Sequence, residues 1–262
     1  MSDHPVLIPT SLGPVEGMVS EPEAPRRAAL MFVHGAGRDR RSGINAVWAR
    51  MARDLADLGV AVLRADFGRR TESNGSLVRR ALGQTDAMWK QDVVVRHEIA
   101  EWWREKLGTS ELWVAGSCYG ARVAIHLAAR NPAISRLFLI VPFLRRRYTG
   151  WQRLQRRLAP RDHMPIHRLA ARDLIAVVDR IPVAVLYGEH DGYDPVVLRQ
   201  QLGAAEDAYE LELIPGLALH PVSSTEVQAV VLERTIGWAS RSLAEATHRD
   251  RFDGATLVDD AS

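Results

Sequence analysis

The stretch that most constrains this chain runs from Leu112 to Arg130. An apolar run, Leu112-Trp113-Val114-Ala115, stops at Gly116-Ser117-Cys118-Tyr119-Gly120 and resumes as Val123-Ala124-Ile125-His126-Leu127-Ala128-Ala129-Arg130, whose spacing predicts a helix. The order is strand, sharp turn, helix. A side chain held at the apex of such a turn needs a strained backbone, so the positions two before and two after it must be nearly bare of side chain. Gly116 and Gly120 meet that need around Cys118. With Ser117 at the apex the flanking positions would be Ala115 and Tyr119, and a tyrosine ring would have to fit where the helix packs on the strand. The glycine frame therefore selects Cys118 as a nucleophile, against the common fate of a lone cysteine as a small buried hydrophobe.

Gly-x-Cys-x-Gly in this setting resembles the nucleophile elbow of the alpha/beta-hydrolase family, which is usually Gly-x-Ser-x-Gly. Cysteine replaces serine in a minority of that family, such as the dienelactone hydrolases and some thioesterases. The resemblance covers Ala28 to about Ser240 and implies an α/β fold, a mostly parallel sheet flanked by helices, with a short helical cap. A thiol at the first turn of a helix sits in the positive end of the macrodipole, and a neighbouring imidazole favours its ionisation further. It can then attack as thiolate.

The rest of the chain fits an alternation of strands and helices. Val6 to Pro9 and Val15 to Val19 read as a hairpin at the sheet edge. Ala28 to Val33 is a continuous apolar run, as expected for a strand buried on both faces, and it ends in His34-Gly35-Ala36-Gly37. That loop resembles the family's oxyanion loop, which implies the N–H groups of Ala36 and of Tyr119 as the donors to a tetrahedral intermediate. His34 is expected to fix the loop rather than to act as a base. Ala46 to Leu58 has helical spacing, Val60 to Ala65 is the next buried strand, and Asp66 after it is expected to be structural. Thr71 to Gly83 reads as loop, Thr85 to Leu107 as a long helix and Leu137 to Val141 as a strand.

Ile181 to Tyr187 is a further strand, followed by Gly188-Glu189-His190-Asp191, which resembles the family's Gly-x-x-Asp turn carrying the catalytic acid. Asp194 before Pro195 reads instead as a helix N-cap. Tyr209 to Ile214 is the last strand, with His220 in the loop beyond it. Of the nine histidines only His220 and His248 follow Asp191, and His248 lies in the tail. The implied triad is Cys118, Asp191 and His220, in the family's chain order and each at the carboxyl end of a strand.

Between Phe143 and about Arg180 the chain has room for a cap. Arg145, Arg146, Arg147, Arg153, Arg156, Arg157 and Arg161 occur there with no acidic residue between them, and Trp151, Leu154 and Leu158 share one helical face. Two readings stand side by side. The arginines are a solvated helix face, or Arg146, Arg153 and Arg157 dock a donor on coenzyme A or an acidic carrier protein. Thr225 to about Ala246 reads as a helix, and 247–262 as a disordered tail of a single domain.

Composition narrows the partners. Lys and Arg number 34 against 32 Asp and Glu, a net charge of +2, so nothing pulls the chain globally toward nucleic acid or membrane. A single cysteine rules out an internal disulfide and a multi-cysteine metal site. No apolar run approaches membrane-spanning length, and Met1 to Pro5 lacks the start of a secretory signal, so a soluble cytoplasmic protein is expected. Neither the GxGxxG nor the Walker spacing occurs, and no metal or organic cofactor is expected.

The expected activity is acyl transfer through an acyl-Cys118 intermediate on a small-molecule acyl substrate. Thiolate attack on a thioester exchanges one sulfur leaving group for another, so thioesters or activated esters suit cysteine better than amides. Hydrolysis leads; an acyltransferase or cyclase with an amine or alcohol acceptor, a dienelactone-hydrolase-like lactone or ester hydrolase, and a non-catalytic ligand-binding protein on the same fold remain open.

Overall fold

The computed structural model describes residues 2–35, 41–66, 86–109, 111–142, 166–191, 209–220, 222 and 224–255. Eight strands, β1 (Ser2–Ile8), β2 (Val15–Glu21), β3 (Ala28–Val33), β4 (Val60–Ala65), β5 (Leu112–Ser117), β6 (Ile134–Ile140), β7 (Val183–Gly188) and β8 (Tyr209–Ile214), form one sheet in the order β1-β2-β4-β3-β5-β6-β7-β8. β1 pairs with β2 and β2 with β4 antiparallel; every later pairing is parallel. This is the alpha/beta-hydrolase architecture that the elbow led us to expect. β4, β5 and β7 are buried along their whole length because helices cover both faces. In β3 the residues from Leu30 to Val33 have no exposed surface, and each such side chain contributes roughly 1.5–3 kcal/mol by leaving water.

Among the described residues five α-helices flank the sheet: α1 (Val47–Asp57), α2 (Asp86–Leu107), α3 (Tyr119–Arg130), α4 (Ile166–Val178) and α5 (Thr225–Ala255). α1 packs on β4 and on α5, while α3 packs on β5 and β6 and against α2 and α4. Aromatic rings lock the first layer to the sheet. Trp48 of α1 lies 4.6 Å from the Phe32 ring, and Trp238 of α5 lies 5.2 Å from Phe138 and 5.5 Å from Trp113, centroid to centroid.

Several elements depart from the sequence reading, and the physical reason is plain in three of them. β1 starts at Ser2 although Pro5 stands inside it, which is tolerated because β1 is an edge strand. β6 begins at Ile134, ahead of a buried Arg136 whose charge is met by Glu245 at 2.8 Å and whose guanidinium lies over the Trp113 ring. α5 continues to Ala255, well beyond Thr247 where a disordered tail was expected, since no glycine or proline interrupts Ala246 to Asp253. The end of the expected cap, Ile166–Val178, is a helix of the flanking layer, packed on α3 through the buried Leu174 and Val177. The expected loop over 71–83, the arginine-bearing stretch at 145–161, the N-cap at Asp194 and residues 256–262 lie outside the described residues.

Candidate active site

β5 runs straight into the elbow. Cys118 has φ 56° and ψ −117°, the only residue between the end of β5 at Ser117 and the start of α3 at Tyr119. A non-glycine residue with this backbone costs on the order of 1–3 kcal/mol, and it persists only where the surroundings over-determine it. Here they do. The Cys118 N–H donates to the Ile140 carbonyl at 2.9 Å, and a Cβ on Gly120 would lie 2.0 Å from the Val33 carbonyl oxygen and 2.3 Å from that of His34. A Cβ on Gly116 would meet the Gly120 oxygen and the Ala121 Cα at 2.7 Å. Backbone presses on backbone at both glycines, so the side chain that stands clear of the turn is the half-buried Cys118.

The loop after β3 closes against the same turn. His34 is buried, and its Nδ1 donates to the Gly35 carbonyl at 2.8 Å, which places it as a loop-fixing group. Asp66, after β4, accepts from the Arg41 amide at 3.0 Å and from its guanidinium at 2.6 Å, and lies 3.8 Å from His34 Nε2. Both residues thus make contacts within the loops that follow β3 and β4. Ala36, the first expected oxyanion donor, lies outside the described residues. Tyr119, the second, is the first residue of α3, directly after Cys118.

Asp191 and His220 come from the turns after β7 and β8. The two turns are laced together by backbone: Glu189 N–H donates to the Ile214 carbonyl at 3.0 Å, and His190 N–H to that of Leu217 at 2.8 Å. Gly188 has no side chain because a Cβ there would lie 2.4 Å from the Leu217 oxygen. The Asp191 carboxylate bridges the pair, accepting from the Gly188 N–H at 2.7 Å through Oδ2 and from the His220 N–H at 2.8 Å through Oδ1. His220 keeps exposed surface, yet the protein packed about its imidazole disfavours the charged form and pushes its pKa below the ordinary histidine value, against the pull of the Asp191 carboxylate.

Cys118, Asp191 and His220 thus all follow the carboxyl ends of parallel strands, with Tyr119 beside them. Arg146, Arg153 and Arg157 lie outside the described residues. Among the described residues no group of three or more His, Cys, Asp or Glu side chains is placed to hold a metal ion, and no helix is long and apolar enough to cross a membrane.

One feature of the site was not legible in the sequence. The Tyr119 hydroxyl donates to Asp92 Oδ2 at 2.7 Å, and both residues are buried. Asp92 lies one turn from Arg96 on α2, and Arg96, with no exposed surface, donates through Nη1 to the Ala65 carbonyl at 3.1 Å. Full burial pulls the Arg96 pKa down to about 10, with the carboxylates of Asp92 and Asp66 opposing the fall. The sole signal for it was an Asp and an Arg at i, i+4 on an otherwise mixed helix.

A family model described as an alpha/beta hydrolase domain matches residues 26–164, more than half of the chain. No curated protein matches the chain by sequence. Among solved structures, a dienelactone hydrolase from Anabaena variabilis superposes with a TM-score of 0.65 at 15% identity, covering 92% of this chain and 97% of its own. An alpha/beta serine hydrolase without lid from Xanthomonas campestris gives 0.59 at 20% identity, with 94% and 95% covered. An esterase from Pyrobaculum calidifontis gives 0.61 at 18% identity, with 94% and 85% covered. At these identities the structural likeness is one of fold.

Proposed function

The chain belongs to the alpha/beta-hydrolase family, and from that premise we propose that it is a cysteine-dependent hydrolase of thioesters or activated esters, working through an acyl-Cys118 intermediate. The observation that carries this reading is the left-handed Cys118 backbone between two glycines that admit no side chain, at the amino terminus of α3. Strain of that kind is retained where it presents a reacting atom.

Neutral His220 takes the proton of the Cys118 thiol, the thiolate attacks the carbonyl carbon, and the carbonyl electron pair moves to oxygen. The Tyr119 N–H, with that of Ala36, donates to the oxyanion. When the tetrahedral intermediate collapses, the leaving thiolate or alkoxide departs, protonated by the His220 imidazolium, and the acyl group stays on sulfur. Neutral His220 then takes a proton from water as the water attacks the thioester, and the carboxylic acid and the Cys118 thiol are released. Asp191 orients the imidazole and offsets its charge. The lowered pKa of His220 keeps it neutral, and so competent as a base, near neutral pH.

The donor class rests on chemistry. Sulfur for sulfur exchange makes a thioester the matched substrate, and a donor on coenzyme A or an acidic carrier would find a complement in Arg146, Arg153 and Arg157. Likeness to the Anabaena dienelactone hydrolase favours a second reading on the same three residues, with a small activated lactone or ester as substrate. Transfer to an amine or alcohol in place of water would need only a different acceptor in the second step. We place the reaction in the cytoplasm, where a thiol nucleophile stays reduced.

Hydrolysis of an acyl-N-acetylcysteamine thioester and of p-nitrophenyl acetate tests the reading. Cys118→Ala is expected to abolish both, and Cys118→Ser to keep some ester hydrolysis at a lower rate. Full activity in Cys118→Ala would overturn it. Charge reversal at Arg153 and Arg157 is expected to raise KM for a coenzyme A thioester; an unchanged KM would remove the docking role.

A further inference from the structure

The residue that follows the nucleophile is tied by its side chain to a charged pair on a different helix. Tyr119 is the first residue of α3, and it supplies the oxyanion N–H in the reading above. Its ring is buried, with the Arg122 guanidinium 5.4 Å from the centroid, and its hydroxyl donates to Asp92 at 2.7 Å. Asp92 in turn faces the fully buried Arg96, which is tied to the carbonyl of Ala65, the last residue of β4. Hydrogen bonds therefore join the first residue of α3 to Asp92 and Arg96 to the carboxyl end of β4, and between them the opposite charges of Asp92 and Arg96 interact within α2. Opposite charges buried together contribute little net stability compared with apolar packing, which leaves placement as the role they can serve here.

We propose that Asp92 and Arg96, acting through the Tyr119 hydroxyl, are positioning residues that aim the Tyr119 N–H at the developing oxyanion. This rests on the acyl-transfer reading and adds a part to it. The amide at the start of a helix has one covalent degree of freedom that matters, the orientation of the Cys118–Tyr119 peptide plane. The elbow glycines fix where that peptide lies, but they bear on the face of α3 that meets β3 and β5. The Tyr119 side chain reaches instead toward α2, so the Asp92 hydrogen bond constrains the peptide from the remaining direction. The Arg96 charge lies close enough to interact with the Asp92 carboxylate, so the two charges offset each other in the interior. None of the three side chains needs to touch substrate. Their effect is on geometry that counts only when charge appears on the carbonyl oxygen.

That distinction supplies the test. Iodoacetamide alkylates a thiolate by displacement at a saturated carbon, so no oxyanion forms and the Tyr119 N–H has no part in it. Acyl transfer from p-nitrophenyl acetate does form one. Tyr119→Phe and Asp92→Asn are measured for both reactions on the folded full chain, with folding checked by thermal unfolding. The expected result is a loss of kcat for the ester of roughly tenfold or more, with KM and the alkylation rate of Cys118 changed by less than about twofold. Unchanged kcat in Tyr119→Phe would overturn the proposal. So would a parallel fall in both rates, which would place the effect on the thiol or on folding. Tyr119→Phe removes a single oxygen and serves where Asp92→Asn fails to fold. Ester hydrolysis surviving in Cys118→Ala would instead break the acyl-transfer reading, whatever the Tyr119 variant does.

Discussion

The elbow and the acid–histidine turns bring the same kind of cargo to the same edge of the sheet, and they hold it by opposite means. At Cys118 the constraint is steric: glycines at 116 and 120 admit the backbone of β3 and α3 at distances no Cβ could survive, and the apex is forced to a positive φ. At Asp191 and His220 the constraint is polar. A carboxylate accepts two backbone N–H groups, and ordinary hydrogen bonds between turns do the rest. In the proposed reaction the Cys118 sulfur must not move, because an attack trajectory tolerates little displacement. His220, as the proposed base, must rotate and exchange a proton, and hydrogen bonds permit that while collisions do not.

If that contrast holds, damage to the two regions has different signatures. Gly120→Ala is the most severe, since the new Cβ would press on two main-chain carbonyls that have nowhere to go. It should cost roughly 3 kcal/mol or more of stability, read as a large drop in the thermal unfolding midpoint or as failure to fold. Asp191→Asn should act mainly on rate, lowering kcat by on the order of 10³-fold. Both Asp191 oxygens accept from N–H groups, so an asparagine must turn its NH₂ toward one of those donors, and a further loss of about 1–2 kcal/mol of stability is expected.

Cys118→Gly sharpens the comparison from the other side. Glycine accepts the apex backbone without penalty, so this variant should gain about 1 kcal/mol of stability while losing the reaction. A stability loss would mean that Cys118 is not strained. The gentlest probe is pH. Because burial lowers the His220 pKa, the acidic limb of kcat/KM should have its midpoint below the ordinary histidine value of about 6.5. Asp191 pulls that pKa upward, so in Asp191→Asn the midpoint should move lower still. A shift to higher pH would contradict the assigned pairing.

Much of the fold was legible because parallel strands buried between helical layers are predominantly apolar. Ala28–Val33, Val60–Ala65 and Leu112–Ser117 all appear where continuous runs predict them. The elbow was legible because its constraint is local: a frame of glycines within five residues of chain. The strands that hold Arg136 and Pro5 were cut short, since these residues are made acceptable by partners and by edge position that no local pattern reveals. The Asp92–Tyr119 contact was hidden for a similar reason. It depends on α2 packing against α3, a tertiary event, and each residue taken alone reads as an ordinary helix position.

The central claim is that the sulfur of residue 118 carries the acyl group. Mass spectrometry of the protein after brief incubation with an acyl-N-acetylcysteamine thioester, followed by digestion, addresses it directly. A mass increase of one acyl group is expected on the peptide containing Cys118, accumulating when His220 is replaced by alanine and deacylation is slowed. Turnover of the thioester with an adduct on another peptide, or continued turnover after Cys118→Ala, would contradict it.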